Sequence, residues 1–138
     1  MHAYSVSRDS QTNWIMYLYA VTGLLSGAKS ILYDGSPTQP NALAFLTMLS
    51  RQRVTHFGTS APYLQVLEQS GIGQHNLPDL SRLRVITSTG SVLTESQYHW
   101  VYHTFGGVQL SSIAGGTDIA GACECWHRRG WKLEVGLY

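Results

Sequence analysis

Four short strand-like runs, each closed by glycine, proline or a hydroxyl-rich turn and separated by stretches of helical period, constrain this chain more than any other feature. They are "SILY" (30–33), "VTHFG" (54–58), "RVITSTG" (84–90) and "VQLSSIAGG" (108–116). Between them, "QPNALAFLTMLSRQR" (39–53) places Leu43, Leu46, Met48 and Leu49 at helical spacing, with Pro40 at its start and Arg51 and Arg53 at its end. "TSAPYLQVLEQSG" (59–71) has a hydroxyl cap, an early Pro62 and a terminal Gly71, and "TESQYHWVYHTFG" (94–106) forms a third helix. Upstream, "WIMYLYAVTGLLSGA" (14–28) reads as a helix stopping near Gly27. Strands alternating with helices predict an α/β, layered sheet-and-helix architecture.

At 138 residues the chain is long enough for one core. Charged residues make up 12% against roughly 25% in an average soluble domain, which suits a segment partly enclosed by other protein and leads to the expectation of an excerpt. The formal charge is +1 with Lys and Arg scattered, so no basic stripe points to nucleic acid or a membrane surface. The uncharged run 14–28 imitates a signal-peptide core, but Arg8 and Asp9 cancel ahead of it and Lys29 ends it short of the roughly 20 residues of a membrane span. A buried helix is the expectation, with no membrane span.

Both "TSTGSVLTE" and "SSIAGGTD" fall just past the carboxyl ends of predicted strands, the edge where open α/β sheets bind ligands. Glycines there let backbone approach a ligand, Thr117 can donate to a phosphate oxygen, and Asp118 can hold a hard cation such as Mg²⁺. The alternative on residues alone is that Gly115 and Gly116 make a tight turn and Asp118 caps the next element.

Four ordered segments, "NWIMYLYAVTGLLSGAKSILYDGSP", "THFGTSAPYLQVLEQSG", "LRVITSTGSVLTE" and "SSIAGGTDI", together resemble the acyl-adenylate-forming enzymes, and most of all their acetoacetyl-CoA synthetase branch. The resemblance covers about residues 12–120. It implies part of the large N-terminal domain of an adenylate-forming enzyme over residues 1–120, and a divergent tail without family match over 121–138. It also implies ATP-dependent activation of acetoacetate or a similar short acid to an acyl-adenylate, then thioester formation with CoA, in the cytoplasm, with Mg²⁺. By the same resemblance, Gly90, Ser91 and Val92 lie along adenine, and Ser112, Ile113, Ala114, Gly115 and Gly116 form the opposite wall. Thr117 binds the AMP phosphate, and Asp118 is the magnesium-associated acid. Trp14, Thr89 and Gly115 line the acyl pocket, with glycine where acetate-specific relatives carry tryptophan, and Ala61 lies beside the CoA tunnel. The alternatives are a ligase for another small carboxylic acid, or a non-catalytic remnant that binds a nucleotide or another chain.

Within the resemblance, Asn13 replaces a usual glycine, "MHAYSVSRDSQ" matches the expected strand poorly, and the family's lysine-bearing phosphate loop and C-terminal lysine domain have no counterpart in these residues. Other clusters read as incidental: the cysteine–histidine cluster as part of an off-register tail, the helical histidines as a solvated face. Cys123, Cys125 and His127 supply three ligands without a partner motif, and Glu95, His99 and His103 share one helical face without the HExxH order. No G-x-S-x-G elbow joins Asp34, His56 and Ser60 in a hydrolase reading, and Trp100, Tyr102 and Phe105 read as core aromatics.

Overall fold

The computed structural model describes residues 3–7, 21, 23–33, 35–116 and 121–124. In chain order these form β1 (Ala3–Ser7), β2 (Lys29–Tyr33), α1 (Ala42–Arg51), β3 (His56–Ser60), α2 (Ala61–Gln69), a 3₁₀ turn (Gln74–Asn76), β4 (Val85–Thr89), α3 (Glu95–Phe105), β5 (Gln109–Gly116) and β6 (Gly121–Glu124). One sheet holds all six strands in the order β2-β1-β3-β4-β5-β6. The first five run parallel and β6 is antiparallel to β5. The α/β layering expected from the alternation is present.

Local chemistry explains the helix boundaries. At α1 the Asn41 side chain accepts from the Ala44 N–H at 2.9 Å, so the helix starts after the cap rather than at Pro40. Its far end closes with paired bonds from Arg53 N–H to the Ser50 carbonyl (2.9 Å) and from Val54 N–H to the Leu49 carbonyl (3.1 Å). Upstream, residues 23–25 are helical and Gly27, at φ +71°, ends that segment where the sequence predicts. The buried character expected there does not extend to its end, where Leu24 is 59% and Leu25 84% exposed.

Two boundaries differ from expectation. The third strand begins at His56, not Val54, because the Thr55 carbonyl accepts from both Arg84 and Val85 N–H groups and the in-register ladder to β4 starts one residue later. It then continues to Ser60, so α2 starts at Ala61, and Ser60 occupies the cap position without a side-chain bond. The expected hydroxyl cap is absent; Pro62 in the first turn is compatible with the start all the same. At the amino end, the stretch with the poorest family resemblance forms β1, held between β2 and β3 by parallel ladders on both sides.

Phe57, Ile86 and Leu110 face each other in register across β3, β4 and β5 and are essentially inaccessible. Against them pack Leu46 and Leu49 of α1, Leu64 and Leu67 of α2, and Val101 of α3, each at 0% exposure. Side chains alternate along a strand, so one sheet face receives all three helices. Phe45 anchors the cluster, with its ring 4.8 Å from Tyr33 and edge-on to Tyr63 at 5.8 Å. Burying one such ring stabilises by about 1.5–3 kcal/mol. Trp100 and Phe105 pack edge to face at 5.7 Å, and the Trp100 indole N–H donates to the Ile72 carbonyl, so these aromatics fill structure.

Candidate functional site

The parallel strands β3, β4 and β5 bring three chain segments to one edge of the sheet. Ser60 pairs with Thr89 and Ser88 with Ser112, so the segments leaving these strands start side by side. Strand order reverses at β1, the arrangement in which open α/β sheets form a crevice beyond the carboxyl ends of their strands.

From β4 the chain turns out through Gly90 at φ +86°, a conformation open to glycine and strained for other residues. Ser91 and Val92 come next on the surface, Val92 with 87% of its area exposed, and Leu93 returns to the core. The next residue caps α3. Thr94 Oγ1 accepts from the Gln97 backbone N–H at 3.3 Å, while the Thr94 N–H donates to Gln97 Oε1 at 2.8 Å, a reciprocal capping box. Buried Gln97 also donates from Nε2 to the Ala61 carbonyl at 2.9 Å. One side chain thereby fixes the end of the Gly90–Leu93 loop against the first residue of α2.

Opposite that loop, β5 runs past Ser112 and remains in strand geometry through both glycines. Gly115 pairs with Ala122 and Gly116 with Gly121. The tight turn considered for Gly115 and Gly116 is therefore not formed; an antiparallel ladder with β6 holds them straight. Ser112 and Ile113 are half-buried and Ala114 exposed. Thr117 and Asp118 fall between Gly116 and Gly121 and, like Trp14 and Asp34, lie outside the described residues.

Beside Ala61, an open cleft of about 380 Å³ is bounded by Ser36, Thr38, Ser60 and Tyr63. Ser36 Oγ and Thr38 Oγ1 lie 2.9 Å apart. Burial, reinforced by neighbouring Tyr33, pushes the Tyr63 phenol well above its ordinary range, so it presents a neutral hydroxyl. The positions expected from sequence to line the site, Ala61, Thr89–Val92 and Ser112–Gly116, carry no charge. Such a surface suits a neutral heterocycle, sugar or short acyl chain and lacks the cations that phosphate needs.

Among the described residues no group of three His, Cys, Asp or Glu could hold a metal, and no helix is long and apolar enough to cross a membrane. His99 and Glu95 approach to 3.7 Å with both side chains 81% exposed, a solvated pair. The side chains of the Cys123, Cys125 and His127 cluster lie outside the description. Gln97 was not singled out from sequence, although its T-x-x-Q spacing after Thr94 is a readable capping signal.

A glycine-bearing loop facing a small-residue strand at the carboxyl edge of a parallel sheet agrees with the sequence model for "AMP-binding enzyme", which matches residues 11–136. The chain belongs to the AMP-binding enzyme family. That match passes through the boundary expected at residue 120, and β6 lies beyond it in the same sheet. Among its relatives, acetoacetyl-CoA synthetase of Gallus gallus is 41% identical over 109 residues, 78% of this chain and 16% of that protein. Malonamoyl-CoA synthetase of Penicillium aethiopicum is 36% identical over 77% of this chain and 17% of its own length. The solved structure of acetoacetyl-CoA synthetase from Streptomyces lividans superposes with a TM-score of 0.76 at 32% identity, over 86% of this chain and 19% of that one. The chain thus spans about one sixth to one fifth of the length of these relatives.

Proposed function

We propose that this chain carries walls of the adenosine and acyl pockets of an AMP-forming acid–thiol ligase acting on acetoacetate. The acid is activated with ATP to an acyl-adenylate and pyrophosphate, and the acyl group then passes to CoA with release of AMP. The observation that carries this reading is the juxtaposition, through the Ser88–Ser112 register, of the Gly90–Val92 loop with the Ser112–Gly116 strand. In it, Gly90, Ser91 and the exposed Val92 lie along adenine, and Ser112 to Gly116 form the facing wall. Thr89, Gly115 and Trp14 bound the acid, Ala61 and the adjoining cleft stand beside the path of CoA, and Thr117 holds the AMP phosphate.

The described walls fit the neutral parts of the adenylate. A magnesium ion would fall to Asp118, supplying charge neutralisation at the phosphates, and the residues described at this edge do the positioning. Such an enzyme works on soluble substrates in the cytoplasm. The 36% identity to a malonamoyl-CoA synthetase supports a second reading, in which the acid is another short carboxylate.

The test is to purify the natural product carrying this sequence from its source cells, through the "DGSPTQPNALAF" segment, and to measure AMP release with ATP, CoA and a panel of short acids. Release dependent on acetoacetate and CoA supports the ligase reading, and preference for another acid supports the second. Nucleotide binding by pure product without AMP release or pyrophosphate exchange would replace both with the non-catalytic remnant.

A further inference from the structure

The five lysines and arginines among the described residues are spread over 56 positions of sequence, yet the fold gathers them on one edge. Lys29 opens β2, Arg51 and Arg53 lie at the end of α1 ahead of β3, and Arg82 and Arg84 precede β4. This is the amino edge of the strands, opposite the edge of the proposed adenylate site. Here a cavity of about 260 Å³ opens between the end of α1 and the connector to β4, with Arg53, Arg82, Ser50, Asp79 and Ser81 in its walls.

The walls are tied together. Ser50 Oγ donates to the Asp79 carbonyl at 2.6 Å across 29 positions of sequence, and the connector is locked by a turn from Leu83 N–H to the Leu80 carbonyl at 2.8 Å. Asp79, the one acid among the described wall residues, accepts from the Ser81 N–H at Oδ1 at 3.0 Å. That bond, the Ser81 hydroxyl and, last, the field of Arg53 hold its carboxyl below the usual range. Among the described residues, neither Arg53 nor Arg82 makes an ion pair or a side-chain hydrogen bond.

Arg53 has a further peculiarity. It occupies the left-handed position that closes α1, at φ +53°, where glycine is the usual residue. The turn would form more readily without a side chain. A non-glycine residue held in that conformation beside a cavity points to a use for its side chain.

We propose that Arg53 and Arg82 form a binding site for a phosphate-type oxyanion at the amino edge of the sheet. Each guanidinium offers planar paired N–H donors that match phosphate oxygens, and the surrounding cations raise the local concentration of anions. Inorganic phosphate and a phosphate monoester share this chemistry.

The test titrates the full chain with inorganic phosphate and, separately, with glycerol phosphate, at constant ionic strength set with chloride, by calorimetry and by amide chemical shifts of residues 50–53 and 79–82. Saturable binding is expected, about tenfold weaker in both Arg53→Gly and Arg82→Gln. Arg51→Gln, which removes a charge from the same edge outside the cavity, should change affinity by less than about twofold. Arg53→Gly keeps a residue suited to the turn, so its loss of binding is separable from unfolding. Tighter binding of one ligand identifies free phosphate or an esterified group as the occupant. Absence of saturation, or equal weakening by all three substitutions, would overturn the site and leave only the general field of the edge.

Discussion

Gln97 and Ala61 are joined by a buried hydrogen bond, from Nε2 of the first to the carbonyl of the second at 2.9 Å, across 36 positions of sequence. The same amide closes the capping box with Thr94, so the loop Gly90–Leu93 and the start of α2 share one anchor. A capping box accepts Glu as readily as Gln, but an ionised carboxylate cannot donate to the Ala61 carbonyl as the amide does. Gln97→Glu should therefore keep the cap and lose about 1–3 kcal/mol at neutral pH, through an unpaired carbonyl facing a carboxylate. Burial raises the pKa of that introduced acid. Its protonated form restores a donor, so the deficit should be smallest below the ordinary carboxyl pKa and grow as pH rises through the raised one. Urea midpoints of both proteins across pH 4–8 check this; a deficit independent of pH would sever the link to Ala61.

Tyr63 supplies a pH dependence of the native chain. Its folded pKa is raised, chiefly by burial and then by Tyr33. The stabilisation from keeping the phenol neutral is fully present below the unfolded value of about 10 and is lost as pH rises through the folded value. Tyr63→Phe should remove this alkaline loss. At neutral pH it should cost less than about 1 kcal/mol, because the hydroxyl reaches the Ala42 carbonyl only at 3.4 Å. Denaturant midpoints from pH 8 to 11 on both proteins make the comparison, and parallel curves would refute it.

Ser88 is completely buried in β4, and among the described residues its hydroxyl has no hydrogen-bond partner. Burying an unpaired polar group is unfavourable, so Ser88→Ala should be neutral or stabilising by up to about 1 kcal/mol. Thermal denaturation measures it. Destabilisation beyond about 1 kcal/mol would mean that the hydroxyl serves a bonded role.

Phe45 gathers Tyr33, Phe57 and Tyr63 around one ring at 1% exposure. Phe45→Ala should destabilise by about 3–5 kcal/mol, the lost transfer energy plus the cavity term. A urea midpoint shift worth less than about 1 kcal/mol would show that this cluster does not hold α1 to the sheet.

The acyl-pocket assignment makes a prediction about specificity. In product that shows ligase activity, Gly115→Trp should move the acetate-to-acetoacetate ratio of kcat/KM toward acetate by at least about tenfold, since a filled site discriminates by about 1–3 kcal/mol per methylene. An unchanged ratio would take Gly115 out of the pocket.

Whatever depends on neighbours within a turn or a strand is legible in the order of the residues. Of the period Leu43, Leu46, Met48 and Leu49, Leu46 and Leu49 lie on the buried side of α1 while Leu43 and Met48 are half-buried and Phe45 joins from outside it, glycine at 27 ends a helix, and "RVITSTG" reads as a buried strand running into a turn. These signals are legible because backbone sterics and side-chain periodicity act over a few residues. The order of family segments points to the residues proposed for the nucleotide site in the same way, since Thr89–Val92 and Ser112–Gly116 each sit in a contiguous stretch.

Tertiary structure alone decided the rest. Parallel ladders pair residues far apart in sequence, so neither the place of Ala3–Ser7 inside the sheet nor the straightening of Gly115 and Gly116 by β6 is written locally. The start of β3 moved to His56 because the Thr55 carbonyl is claimed by Arg84 and Val85. Likewise, cations scattered in sequence became one edge because α1 and the connector to β4 both deliver the chain to the amino ends of parallel strands. Helices that return antiparallel to their strands collect on one edge whatever enters the strands and on the other whatever leaves them, and that sorting exists only once the sheet has formed.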